Sequence, residues 1–241
     1  FNRSYRSFAT LFFLAAFSLC TIAGYILNGR SFKGFRHLVT DTGYSSNFAE
    51  KYGMPLCLIN IGCYGFLFLL YIHLITHFTE GAGFTGPTIG VTVAALTFSA
   101  MGQHPRNVWP ILAGYLLLYL VTLVLCRMDG REIAWTISTQ GYINGVAFAT
   151  GLCPIVGRYG IRAGLAAGFM CASMCTATSA LHGGLVLYNG GFTAGTTALI
   201  LLPILEHYIP SARERLKDQT IRMNDLIIVE LPGKEKRRRK K

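Results

Sequence analysis

Carboxylates are scarce in this chain. Only 11 of its 241 residues are Asp or Glu, and the apolar blocks at 8–27, 54–76, 83–101, 108–126, 142–156, 163–180 and 196–205 hold none. General acid–base chemistry needs titratable side chains that share a pocket, so this shortage argues against an enzyme. No P-loop and no dinucleotide-binding glycine fingerprint is present. His73 and His77 fall one helical turn apart, but without the adjacent Glu of a zinc protease or a third ligand at metal spacing. The seven cysteines form no C-x-x-C pair, and Cys171 and Cys175, one turn apart in an apolar run, read as small buried hydrophobes. Neither a cofactor nor a metal is called for.

Apolar residues are abundant instead. They make up 52% of the chain against 14% charged residues, and the mean hydropathy is +0.43. This is an all-α, multi-pass membrane composition. Segments 8–27, 54–76 and 108–126 have about the 20 apolar residues a bilayer requires. Segment 83–101 opens as a helix near Pro87, because proline suits a first helical turn. Segment 163–180 is rich in Ala, Gly, Ser, Cys and Thr, which lets neighbouring backbones approach closely, and a last helix follows at 193–208. At about 15 residues, with Asn144 and Pro154 inside it, segment 142–156 is short for a span and reads as a re-entrant hairpin or buried half-helix. The expectation is a polytopic helix bundle of about six spans with re-entrant or broken helices. Residues 1–209 form its transmembrane domain, and 210–241 a surface helix and basic tail.

The formal net charge is +11, with a concentration of Lys and Arg at 234–241. After a membrane helix, such a tail marks the cytoplasmic face and attracts anionic lipid. That places the protein in the cell membrane with its C-terminus cytoplasmic, with membrane lipid as a partner and no nucleic acid.

The stretch 181–195, LHGGLVLYNGGFTAG, sits at membrane depth yet holds His182, Tyr188, Asn189, Thr193 and five glycines. Unpaired backbone is costly in hydrocarbon, so irregular backbone survives there only where protein or a water-filled cavity covers it; the other reading is a short external loop whose glycines cap two helices. With Thr85, Thr88 and Asn144, these side chains supply donors and acceptors without fixed charge. A neutral ring of this kind suits a small polar solute, which must be desolvated without being held too tightly. Asp41, in Thr40-Asp41-Thr42, reads as an Asx-type turn or helix cap in preference to a cation or proton site on an inward-folded loop, and His104 as a solvated turn before Pro105.

Two short motifs recur at one offset. Lys51-Tyr52-Gly53 is echoed by Arg158-Tyr159-Gly160, and Gly83-Phe84-Thr85 by Gly191-Phe192-Thr193. The echoes suggest a duplicated unit, 8–101 and 108–208, with sites where broken helices of the two halves meet. An inverted repeat is the favoured relation, although it puts Arg30, Lys33, Arg36 and Lys51 outside, against the positive-inside preference. A parallel repeat, with 83–101 dipping in and returning, keeps them inside.

The runs LVTDT at 38–42, GMPLCLINIG at 53–62, GPTIGVTVAALTFSAMGQHPRN at 86–107 and HGGLVLYNGGFTAG at 182–195 resemble a bacterial multi-pass membrane family catalogued only as a domain of unknown function. The resemblance covers most of 8–208. It implies that such a unit occurs twice in longer chains and that this sequence is similar to the second copy, with an upstream half before it. It brings no substrate and no catalytic residue. A looser similarity is to urea-transporter-like channels, whose halves carry an Asn-containing re-entrant segment (compare Asn144) and a Gly-Phe helix break (compare 189–192). The sequence departs from that pattern in having one helix between the two motifs. Two functions stand: a channel or secondary transporter for a small polar solute, working as a homo-oligomer or paired with a second homologous unit, and a non-transporting scaffold or sensor subunit.

Overall fold

The computed structural model describes residues 3–44, 46–79, 85–133, 135–182 and 186–210. These residues form helices and no strands: α1 (Arg3–Leu27), α2 (Phe35–Leu38), α3 (Phe48–Tyr52), α4 (Met54–Phe78), α5 (Gly86–Ser99), α6 (Pro105–Met128), α7 (Gln140–Ala149), α8 (Cys153–Tyr159), α9 (Ile161–Thr178) and α10 (Val186–Tyr208). Phe8–Leu27, α4 and α6 are long and apolar enough to cross a membrane. The tail at 211–241 lies outside the described residues.

Contacts along the helices fix their directions. Thr10 meets His73 at 3.3 Å, while a Cβ on Gly24 would come within 2.6 Å of the Pro55 carbonyl, so α1 and α4 are antiparallel. Asn60, near the start of α4, donates to the Ser99 carbonyl at the end of α5 at 2.9 Å. α5 therefore runs back beside α4. Gly114 of α6 lies so close to α9 that a Cβ there would meet the Leu165 carbonyl at 2.5 Å. Such small-residue contacts let membrane helices exchange lipid contact for dispersion contact between backbones.

The largest departure from expectation concerns 140–159. α7, a 3-10 turn at Thr150–Leu152 and α8 follow one another without reversal. Gln140 bonds Thr85 at one end of the bundle, Thr150 meets the Tyr64 hydroxyl at 3.2 Å midway, and Gly157 lies against Thr42 at the other end. The segment passes through rather than re-entering. Pro154 explains why: it falls in the first turn of α8, where its missing N–H costs no helical bond. At 1.5 Å per residue, the 140–159 run covers about 30 Å, and the α5 run about 21 Å. The described helices thus make seven passages between two ends: α1, α4, α5, α6, α7–α8, α9 and α10.

One end carries Arg30, Lys33, Arg36, Lys51, Arg106, Arg158 and Arg162 with Asp41, Glu50 and Glu206. This is the basic end. The opposite end carries Arg3, Arg6, Arg127 and Arg131 with Asp129 and Glu132. Gly53 (φ 86°) and Gly160 (φ 92°) have the positive φ that glycine alone adopts without strain. Each joins a short helix to a long one, and both lie at the basic end. α4 and α9 leave those turns in the same direction, as α5 and α10 then return in the same direction. An inverted relation would set the two turns at opposite ends, so the described helices do not show the inverted repeat. The second echo is not equivalent: Thr85 caps α5, whereas Thr193 lies two turns inside α10.

Candidate functional site

Three helices running in the same direction, α5, α7 and α10, begin at the end opposite the basic one, and their first turns carry most of the expected residues. At the α5 cap, the Thr85 hydroxyl accepts the Thr88 amide at 3.3 Å. Both threonine hydroxyls donate to the Gln140 side-chain carbonyl, Thr88 at 3.2 Å. The Gln140 amide in turn donates to Asn144 Oδ1 at 2.7 Å. Thr88 and Asn144 are buried.

A second cluster surrounds Asn189. Its Oδ1 accepts Thr178 Oγ1 at 2.7 Å and lies 2.8 Å from His182 Nδ1, so that ring nitrogen carries the proton. Its Nδ2 donates to the Cys175 carbonyl at 3.0 Å. Thr193 is buried beside Cys171, with sulfur to oxygen 3.8 Å. The clusters adjoin across α7 and α10, where a Cβ on Gly190 would stand 3.2 Å from the Asn144 carbonyl. The glycine lets two helices carrying buried amides approach closely.

Thr85, Thr88 and Asn144 thus come together, as do His182 and Asn189, with Thr193 one turn further along α10. Tyr188 does not join them. It is 64% exposed, and its ring meets that of His182 edge to face at 5.0 Å. Tyr188 and Asn189 are adjacent on a helix, so their side chains diverge by about 100°. The stretch 181–195 is also more regular than expected. α9 ends at Thr178, a 3-10 turn follows at Ser179–His182, and α10 resumes at Val186 with 189–195 inside it. Its glycine pair provides a close approach at Gly190 and does not unwind the backbone. The expected bend at Gly83 and the glycines at 183–184 lie outside the described residues.

Gln140 and Thr178 were missed from sequence, yet they connect the site. Gln140 had a readable signal, one helical turn before Asn144. Thr178 had none, since its role depends on how α9 meets α10.

The basic end holds a different constellation. Asp41 Oδ1 accepts Gly43 N at 2.8 Å and Ser46 Oγ at 2.9 Å, the Asx turn expected. Its Oδ2 accepts Tyr52 Oη at 2.7 Å and pairs with Lys51. Burial alone would raise the carboxyl pKa, but these donors outweigh it and hold it at about 2. The same pair, against some burial, raises Lys51; burial and the carboxylate raise Tyr52. His104, expected in a solvated turn, is 1% exposed. Its Nδ1 accepts the Asn107 amide at 3.3 Å and its Nε2 lies 3.0 Å from the Asp41 carbonyl. Only the neutral Nε2–H tautomer satisfies both contacts. Burial lowers its pKa, partly offset by the Asp41 carbonyl. No group of three or more metal-ligating side chains occurs among the described residues.

Apolar helices of spanning length with polar groups turned inward define the class, an all-helical integral membrane protein. The chain belongs to the family described as protein of unknown function (DUF1576), which matches residues 27–207. No curated protein and no solved structure matches it.

Proposed function

We propose that this protein is a channel or secondary transporter for a small, uncharged polar solute. The observation that carries the reading is the alignment of neutral hydrogen-bonding side chains on the first turns of α5, α7 and α10. Thr85, Thr88, Gln140, Asn144, His182 and Asn189 occur there without an Asp or Glu among the described residues. Helix N-termini carry partial positive charge, and in transporters such ends face the electronegative atoms of the solute. The site therefore favours a solute rich in acceptor oxygens.

The seven passages are read as bilayer crossings, α5 and α7–α8 being shielded by the longer helices. The basic end is cytoplasmic because Lys and Arg are retained on that side, and the chain leaving α10 there leads to the basic tail. That orientation keeps Arg30, Lys33, Arg36 and Lys51 on the side that the positive-inside preference favours. Pairing with a second homologous unit, or with a second copy, completes the assembly.

Flux into proteoliposomes, measured for a panel of small amides and polyols, tests this. Wild type is expected to pass at least one of them faster than protein-free vesicles. Asn189→Leu, verified as folded by gel filtration, abolishes the increment. A folded Asn189→Leu protein with undiminished flux removes the site assignment. The alternative, a non-transporting scaffold or sensor, draws on the close glycine contacts at Gly24 and Gly114, which serve packing alone; absence of flux for every solute favours it.

A further inference from the structure

At the basic end a cleft of about 460 Å³ opens between the loop before α3, the start of α6 and the α8–α9 turn. It is separate from the neutral cluster, and the transport reading makes no use of it. Its wall includes Arg106, Trp109, Gly160 and Ile161. Arg106 is exposed and has no carboxylate within salt-bridge distance among the described residues. The nearby carboxylate does not neutralise it: the Asp41 side chain is 3% exposed, with both oxygens occupied by Lys51, Tyr52, Gly43 and Ser46.

Trp109 lies one turn along α6 from Arg106, on the same face, and is 41% exposed; Ile161 is 50% exposed. The cleft therefore presents a guanidinium without a carboxylate in reach among the described residues, an indole one turn further along α6, and an aliphatic side chain at the start of α9. Tryptophan is enriched where headgroups meet acyl chains, and basic pockets between helices on the cytoplasmic side accept anionic headgroups. The starts of α6 and α9, both at this rim, add positive potential of the same sign.

We propose that this cleft is a binding site for an anionic phospholipid. Its phosphodiester is held by Arg106 and its glycerol and upper acyl chain lie against Trp109 and Ile161. A free phosphate would use Arg106 but not the apolar pair, so the lipid is the occupant the surface fits.

The chain has two tryptophans, and a Trp135→Phe background leaves Trp109 as the reporter. The full chain is reconstituted in phosphatidylcholine containing a small fraction of either brominated phosphatidylglycerol or brominated phosphatidylcholine. One basic contact enriches anionic lipid about fivefold, so the brominated anionic lipid is expected to quench Trp109 clearly more than its zwitterionic counterpart. Arg106→Ala should bring the two to equality, whereas Arg131→Ala, at the opposite end, should leave the difference intact. Equal quenching in the Trp135→Phe protein overturns the proposal, as does a difference that survives Arg106→Ala. Inorganic phosphate raising thermal stability in an Arg106-dependent way, without preferential quenching, would also overturn it in favour of a free-anion site.

Discussion

The two ends of the bundle solve the same problem, burial of polar groups, by opposite means. At the basic end Asp41 is an ionised carboxylate held by an ammonium, a phenol, a hydroxyl and an amide. At the other end Asn189 and Gln140 are amides held by hydroxyls, a ring nitrogen and a backbone carbonyl. Desolvating an ion costs several kcal/mol, so a charge is kept where water reaches its partner; Lys51 remains 55% exposed. Desolvating an amide costs less and is offset by neutral donors. The charged constellation is thus suited to holding a loop in place, and the neutral one, under the transport proposal, to making and releasing contacts with a solute.

The comparison can be broken by mutation. Asp41→Ala is expected to cause the largest loss, about 3 kcal/mol, because it removes charge-assisted bonds from four donors. Thermal unfolding in detergent should show a clearly lowered midpoint, and an unchanged one would mean that the Asp41 contacts add nothing. Asn189→Leu comes next in stability, at roughly 2 kcal/mol, since His182 Nδ1–H loses its acceptor and the Cys175 carbonyl its donor. Its effect on flux should nevertheless exceed that of Asp41→Ala when both are measured on folded protein.

Acidification sharpens the contrast. His104 has a folded pKa below its ordinary 6.5, so its contribution is complete above pH 6.5 and declines as pH falls through the lowered value. Asp41 contributes fully above its ordinary 3.8 and loses that contribution as pH falls through about 2. Stability should therefore decline on the acid side in two stages, His104 first. His104→Gln should remove the first stage from a series of unfolding midpoints across pH. Lys51 and Tyr52, both raised, contribute below their ordinary values of 10.5 and 10.0 and fail as pH rises through the folded ones. The smallest expected change is that of Lys51→Met, within about 1 kcal/mol, because a half-exposed partner is screened by solvent. A loss as large as that of Asp41→Ala would show that the pair behaves as if fully buried.

Span-length helices could be read directly from residues 8–27, 54–76 and 108–126, because apolar length is a local property. Segment 142–156 could not be read in that way. Its shortness suggested a return to the starting side, but α8 continues past a 3-10 turn, and contacts distant in sequence, Thr150 with Tyr64 and Gly157 with Thr42, reveal the direction. His104 shows the same limit: a histidine before proline resembles a solvated turn until the loop around Asp41 closes over it. The neutral residues of the site were recognisable by type, since polar side chains in apolar runs stand out. Of their partners, Gln140 was legible as lying one turn before Asn144, whereas Thr178 was not, because its bond to Asn189 depends on how α9 meets α10.

Composition and hydropathy by themselves determined that this chain is helical and holds helices long and apolar enough to cross a membrane, since each follows from residue type and spacing along one helix. Tertiary structure alone decided that α5, α7 and α10 start side by side, that the two basic-Tyr-Gly turns share an end, and that of the neighbours Tyr188 and Asn189 it is Asn189 that is buried. Those outcomes depend on helix direction and on contacts as close as that of Gly190 with Asn144, which no local pattern encodes.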